Sequence, residues 1–167
     1  MKPVLETARL CLRKAILPDA NFILELLNSP GWLQYIGDRG VKNEADAARY
    51  IDDRLIKSYD ELGYGLYVTQ LKKEGFPIGL CGFIKRPYLE HADIGFAVLP
   101  VYESQGYTYE AARALMPFGK TYFGLDPILA ITTKDNLKSQ NLLKKLGLKQ
   151  RGFLVEPEGE ELMLFSS

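Results

Sequence analysis

The stretch from Asp93 to Ala112 constrains the possible fold more than any other part of this sequence. An apolar run, Asp93-Ile94-Gly95-Phe96-Ala97-Val98-Leu99, passes through Pro100 into a polar loop holding one glycine, Gly106. A helical pattern follows from near Tyr109, with Ala111, Leu115, Phe118 and Tyr122 on one face. A strand that turns into a helix in this way is a building unit of α/β sheets. The first N–H groups of such a helix point outward with the dipole behind them, so the loop can receive a phosphate or pyrophosphate without a basic side chain. Residues 101–110 indeed contain no Lys or Arg. Gly106 also reads as an ordinary turn glycine, and the loop has neither the glycines of a G-x-G-x-x-G site nor a P-loop lysine.

The rest of the chain extends this unit into an ordered series. Residues 9–15 alternate as a half-buried strand, and Pro18 and Asp19 open a helix carrying Phe22, Ile23, Leu26 and Leu27, which ends at residues 28–31. Residues 32–42 read as an aromatic-bearing loop. Asn43 caps a second helix whose stripe is Ala47, Ile51, Leu55, Tyr59 and Leu62, closed by Gly63, with charges on its other face. Residues 64–71 and 78–84 form an antiparallel hairpin, and residues 92–99 a third strand. Pro117 is expected to kink or shorten the helix it falls in. A strand over 128–132, a helix after Asn136 that buries Leu142, Leu143 and Leu146, and strands over 148–155 and 161–165 complete the order. The series β-α-α-β-β-β-α-β-α-β-β predicts one α/β (α+β) domain over residues 1–167, with a mixed sheet that is antiparallel in its first half.

Composition narrows the partners. The 167 residues carry 21 Lys+Arg against 21 Asp+Glu, which excludes a basic nucleic-acid arm and a disordered acidic tail. No apolar run approaches the roughly 18 residues of a membrane span, and Lys2, Glu6, Arg9 and Arg13 interrupt the N-terminus, so a cytoplasmic location is expected. Cys11 and Cys81 sit in strand-like runs without a second ligand at metal spacing, so buried free thiols and no metal site are expected.

A second informative segment begins at the end of the strand near Ile131. Asn136 is a good N-cap, and Ser139 lies one turn further on, so both can face a crevice at the carboxyl end of that strand. Taken in order, Thr7-Ala8-Arg9-Leu10, Trp32 to Asn43, Pro77-Ile78-Gly79, Asp93-Ile94-Gly95-Phe96, Gln105-Gly106-Tyr107, Asp135-Asn136, Ser139 and Lys145-Leu146-Gly147-Leu148 resemble the GNAT N-acetyltransferase superfamily, in particular its RimJ/RimL-like branch.

That resemblance implies a GNAT-like acyl-CoA N-acyltransferase fold. The expected sheet has about seven strands with four main helices, splayed between the fourth and fifth strands. It implies acetyl-CoA as cosubstrate and a small-molecule or peptide amine as acceptor, in a monomer or homodimer without nucleic acid or membrane. The backbone of Phe96, Ala97 and Val98 would pair with pantetheine, the amides of Ser104, Gln105, Gly106, Tyr107 and Thr108 would take the pyrophosphate, and Asn136 would hold the pantetheine arm. Ser139 matches the position that protonates the departing thiolate in the RimL-like branch. Two positions depart from the pattern. The phosphate loop reads Ser104-Gln105-Gly106-Tyr107-Thr108-Tyr109-Glu110-Ala111 after the acidic Glu103, where the branch has Gly-Lys-Gly-Tyr-Ala-Thr-Glu-Ala, and Leu143 stands where many members have a tyrosine acid.

Transfer from a thioester needs a neutral amine. A lysine of pKa about 10.4 is neutral about once in 2,500 at pH 7, whereas an α-amine near 7.8 is neutral roughly one time in seven, so an α-amine asks less of a general base. Asp93 is the first candidate for that base, directly or through a water, with His91 the runner-up and a surface-facing strand carboxylate the plain alternative. A backbone N–H near Val98 is expected to stabilise the oxyanion. Trp32, Tyr35 and Arg39 are expected on the acceptor side, with Gln34, Ile36 and Tyr64 near. The alternative reading is a non-catalytic acyl-CoA-binding or interaction module with a degenerate site.

Overall fold

A computed structural model of the chain describes residues 2–167. A two-residue strand β1 (Leu5–Glu6) precedes β2 (Leu10–Arg13), and a 3₁₀ turn over Leu17–Asp19 leads into α1 (Ala20–Leu27). The Arg13 guanidinium meets the Asp19 carboxylate in a two-pronged, nearly buried pair at 2.8 and 2.9 Å, which ties β2 to the start of α1.

Pro30 does not simply end α1. It occupies the first turn of a further short helix, α2 (Pro30–Tyr35), where its missing N–H has no partner to lose. The expected loop therefore shrinks to residues 36–43. As expected, Asn43 caps α3 (Glu44–Tyr50), its side chain accepting from the Asp46 N–H at 2.8 Å. The next turns, Ile51–Ile56, are π-helical, and α4 (Lys57–Leu62) ends at Gly63 with φ 82°. The widening has a cause in the sequence. Ala47, Ile51, Leu55 and Tyr59 recur at intervals of four, and each such step overshoots an α-helical turn by about 40°. Wider turns absorb that drift, and all four side chains stay buried, whereas Leu62 is 44% exposed.

The antiparallel hairpin of β3 (Leu66–Leu71) and β4 (Pro77–Ile84) is followed by β5 (Asp93–Val98). After a 3₁₀ turn over Pro100–Tyr102 comes α5 (Tyr107–Phe123), then β6 (Leu129–Thr132), α6 (Leu137–Lys145), β7 (Lys149–Val155) and β8 (Glu161–Ser166). Helix α5 starts two residues earlier than expected and is not shortened by Pro117. That proline is exposed, so water can satisfy the Arg113 carbonyl that it leaves unbonded. Gly119 lets α5 settle on β4, because a Cβ there would stand 2.4 Å from the Phe83 ring.

The sheet has eight strands, in the order β1-β2-β3-β4-β5-β6-β8-β7, where about seven are expected, and the four expected main helices are α1, the continuous helix from α3 through the π-helical turns to α4, α5 and α6, with the short α2 added. The extra strand is β1, too short to leave a periodic signal. Leu10, Leu12, Ile23, Leu26, Val68 and Phe83 are fully buried between the sheet and its helices. Cys81 is buried, but Cys11, on β2 near the sheet edge, is only half-buried. Among the described residues no helix is long and apolar enough to cross a membrane.

Candidate active site

The sheet opens between β5 and β6. The two strands run parallel and pair only at Asp93 and Leu129, whereas β5 pairs with β4 along its whole length. The Leu99 N–H bonds to the Ile78 carbonyl at 2.8 Å, and the alternation of an antiparallel ladder then turns the N–H groups of Phe96 and Val98 the other way, into the opening. The splay expected between the fourth and fifth predicted strands is thus present, between β5 and β6 of the eight. It is a wedge with Asp93 at its closed apex and Val98, about 17 Å along the strand, at its mouth.

The mouth carries the glycine loop. Ser104 has φ 60° and Gly106 φ 81°, two left-handed residues in three, and α5 begins at Tyr107 without a capping side chain. Its leading N–H groups therefore lack an internal acceptor. The loop has no cation of its own, but the fold brings one from far away in sequence. The Arg9 guanidinium donates to the Gln105 carbonyl at 3.0 Å, lies 4.3 Å over the Tyr107 ring and is held by Glu110 at 2.7 Å. Glu110 also accepts from the Thr7 hydroxyl at 2.5 Å, and these partners together hold its carboxyl below the usual range against the effect of burial. Arg9 was legible only as part of the N-terminal resemblance, because nothing local links it to a loop nearly a hundred residues away. Gln105 folds its side chain back to the Val101 carbonyl at 3.0 Å, and Thr108 is half-buried on the first turn. Glu103 faces Lys138 of α6 at 3.8 Å, which offsets the unfavourable charge beside the loop.

On the β6 side, Asn136 accepts from the Ser139 N–H at 3.2 Å, so both residues sit on the first turn of α6, with Ser139 half-buried. Lys145 stacks over Tyr109 at 4.2 Å and joins α6 to the start of α5. Leu143 is fully enclosed in the core.

Asp93 is not a surface-facing carboxylate. It is 1% exposed at the start of β5, and the Arg86 guanidinium donates to its Oδ1 at 3.0 Å. Burial raises its pKa to about 6, while the charge and hydrogen bond of Arg86 pull it down. His91 lies exposed in the bend before the strand, not on its face. Val98, at the mouth, is too far from Asp93 for both to serve one reacting carbon; Phe96 is three residues away.

Of the acceptor-side residues, Trp32 is a core side chain, 5% exposed, with its Nε1 unpartnered among the described residues. Tyr35 ends α2 half-buried, and Arg39 follows in the exposed loop. Arg39 joins Arg49, Tyr50 and Arg54 around a cleft of about 220 Å³. Sequence reasoning named only Arg39. Arg49 and Arg54 flank the half-buried Tyr50 and are five residues apart, about 140° around an ordinary α-helix, so the π-helical turns and not α-helical spacing bring them to one cleft. Among the described residues no three His, Cys, Asp or Glu side chains are grouped as a metal site requires.

Comparison with known proteins agrees with this geometry. Residues 9–149 match the acetyltransferase (GNAT) domain family. The uncharacterized N-acetyltransferase YnaD of Bacillus subtilis is 28% identical over 158 residues, covering 93% of this chain and 89% of its own. Among solved structures, RimL, a ribosomal L7/L12 alpha-N-protein acetyltransferase in complex with coenzyme A, superposes with a TM-score of 0.84 at 17% identity, covering 99% of this chain and 97% of its own. The microcin C7 self-immunity acetyltransferase MccE, in complex with acetyl-CoA and AMP, does so with a TM-score of 0.81 at 18% identity, covering 96% and 93%. A domain match over most of the chain, joined to a sheet splayed beside a glycine loop, makes this protein a member of the GNAT family of acetyltransferases.

Proposed function

We propose that this chain moves the acetyl group of acetyl-CoA to a primary amine by direct attack within a ternary complex. The wedge between β5 and β6 carries the reading, because it offers a line of free backbone groups that leads from a phosphate-sized loop to a buried carboxylate. In this reading the N–H groups of residues 104–108 take the pyrophosphate, with Arg9 fixing the loop's shape from outside. The Val98 N–H and the Asn136 side chain hold the pantetheine arm. Such an Asn136 would keep its bond to the Ser139 N–H through one lone pair and offer its amide to the cofactor.

At the thioester, the amine nitrogen forms a bond to the carbonyl carbon and the carbon–sulfur bond breaks. The Phe96 N–H, nearer the apex than Val98, faces the oxyanion. Asp93, enclosed and held by Arg86, takes the amine's proton through a water and not by direct contact. The thiolate is protonated by the Ser139 hydroxyl, which sits on the β6 side of the same opening, and solvent returns the proton to Ser139. Leu143 cannot supply a proton, so Ser139 or water must.

Thermal unfolding in the presence of acetyl-CoA, with ATP and NAD as controls, tests the donor site. At about 100 times its dissociation constant the ligand adds roughly 2.7 kcal/mol of stability, a shift of a few degrees. A response confined to acetyl-CoA is expected, followed by amine-dependent release of CoA thiol; no response at millimolar acetyl-CoA would sink the reading.

A further inference from the structure

The cleft behind Arg39 has a composition that the transfer chemistry does not require. Arg39, Arg49 and Arg54 line it with Tyr50, against two carboxylates, Asp46 and Asp53. Asp46 is already engaged: it pairs with Arg49 and accepts from the Lys42 N–H at 3.0 Å. Arg39 and Arg54 have no ion-pair partner among the described residues, so two guanidinium forks face the cleft with one uncommitted carboxylate between them. The cleft also lies within electrostatic reach of the residue that holds the apex carboxylate. The charges of Arg39, Arg54 and Arg86 all act on the half-buried Tyr50 hydroxyl, and Arg86 is the residue that holds Asp93.

We propose that this cleft binds an oxyanion, a carboxylate or a phosphate, carried by the acceptor, so that the substrates of this chain are amines bearing an anionic group. The proposal rests on the acetyltransferase reading and adds the class of acceptor to it. Guanidinium groups suit the task because their planar forks match carboxylate and phosphate oxygens two bonds at a time. The size of the excess matters as well. A chain with 21 basic and 21 acidic residues presents no broad positive field, so a local surplus of one charge, three arginines against two aspartates, selects a single small anion and not a polyanion.

Acceptors matched in all but charge test this. CoA release is followed with glycyl-aspartate amide against glycyl-asparagine amide, and with glycyl-phosphoserine amide against glycyl-serine amide. A KM at least about tenfold lower for an anionic member is expected, and the pair that shows it tells whether carboxylate or phosphate is the natural group. The double substitution Arg39→Gln with Arg54→Gln should bring the two members of that pair within about twofold of each other, whereas Arg113→Gln, on the exposed side of α5, should leave the preference intact. Equal KM values in the parent protein, or a preference that survives the double substitution, would overturn the proposal.

If none of the four is acetylated, calorimetric titration of the CoA-saturated protein with glutarate and with inorganic phosphate decides it. Saturating CoA occupies the loop before α5, so binding that the double substitution weakens at least about tenfold belongs to the cleft; no binding, or binding the substitution leaves unchanged, refutes it. Failure of acetyl-CoA to bind in the thermal titration is a separate result. It removes the donor reading, and the same two anions titrated without CoA then compare parent and variant directly.

Discussion

The proposed donor and acceptor sites are made of different material. In the proposed donor site the groups offered to the ligand belong mostly to the backbone: the N–H groups of residues 104–108, turned by the left-handed Ser104 and Gly106, and those of Phe96 and Val98. In the proposed acceptor cleft they are the ends of long, exposed side chains, those of Arg39, Arg49 and Arg54. Backbone geometry tolerates replacement of the side chains that hang from it. The loop can therefore lose a lysine to Gln105 and still aim its N–H groups, provided that a left-handed glycine and the Arg9–Glu110 anchor remain. The proposed acceptor cleft has no such reserve, because each of its groups is a particular side chain, so replacing one arginine is expected to change the preference.

The contrast can be broken most sharply at its apex. Asp93→Asn should lower kcat by about 10²- to 10⁴-fold, the usual worth of a general base. Its pKa of about 6 also sets the sign of a pH effect: the carboxyl is ionised and competent above that value and protonated below it, so the parent's rate should fall as pH drops through about 6. After correction for the acceptor's own ionisation, a variant that keeps this acid limb would remove Asp93 from the mechanism. Gly106→Val tests the backbone side. A β-branched residue at φ 81° costs on the order of 1–3 kcal/mol, so acetyl-CoA affinity measured by calorimetry should drop about tenfold or more with acceptor KM scarcely altered.

Arg9→Gln removes the outside anchor, and a loss of affinity of roughly fivefold is expected from one charge-assisted bond to the Gln105 carbonyl. Asn136→Ala should cost about 1 kcal/mol of stability through the lost cap. An unchanged acetyl-CoA affinity in that variant would reduce Asn136 to a cap alone. Ser139→Ala should have the smallest effect, a fall of a few fold in kcat under chemistry-limited conditions, because water can also protonate a thiolate. Parent-like turnover there would leave water as the acid.

What could be foreseen from the sequence follows the same division. Elements with several turns or strand alternations were placed within a few residues, including the Asn43 cap, the hairpin of β3 and β4 and the parallel step from β5 to β6. Two errors share one origin. Pro30 and Gly31 have the look of breakers, yet a proline at the first helical position starts a helix as readily as it ends one, and only the fold decides which. Pro117 has the same look, but its exposure leaves solvent to complete the backbone. Contacts across the chain were beyond reach. Nothing near Arg9 in sequence announces Gln105, and although Arg86 stands only seven residues before Asp93, the burial that lifts Asp93's pKa depends on strands that meet only in the folded sheet.

The π-helical turns over Ile51–Ile56 have a consequence for how acceptor preference can change. They lie between Tyr50 and Lys57, so Arg49 and Tyr50 are joined to the cleft by α-helix while Arg54 stands inside the wider winding. Deleting one residue there would restore α-helical winding while leaving the helices on either side in nearly their present register, because a π-helical turn holds about one residue more than an α-helical one. The apolar stripe would stay in place, and the side chains within the widened turns, Arg54 among them, would be re-aimed. A single-codon insertion or deletion could thus rewrite this surface without touching the sheet, the glycine loop or the carboxylate at the apex.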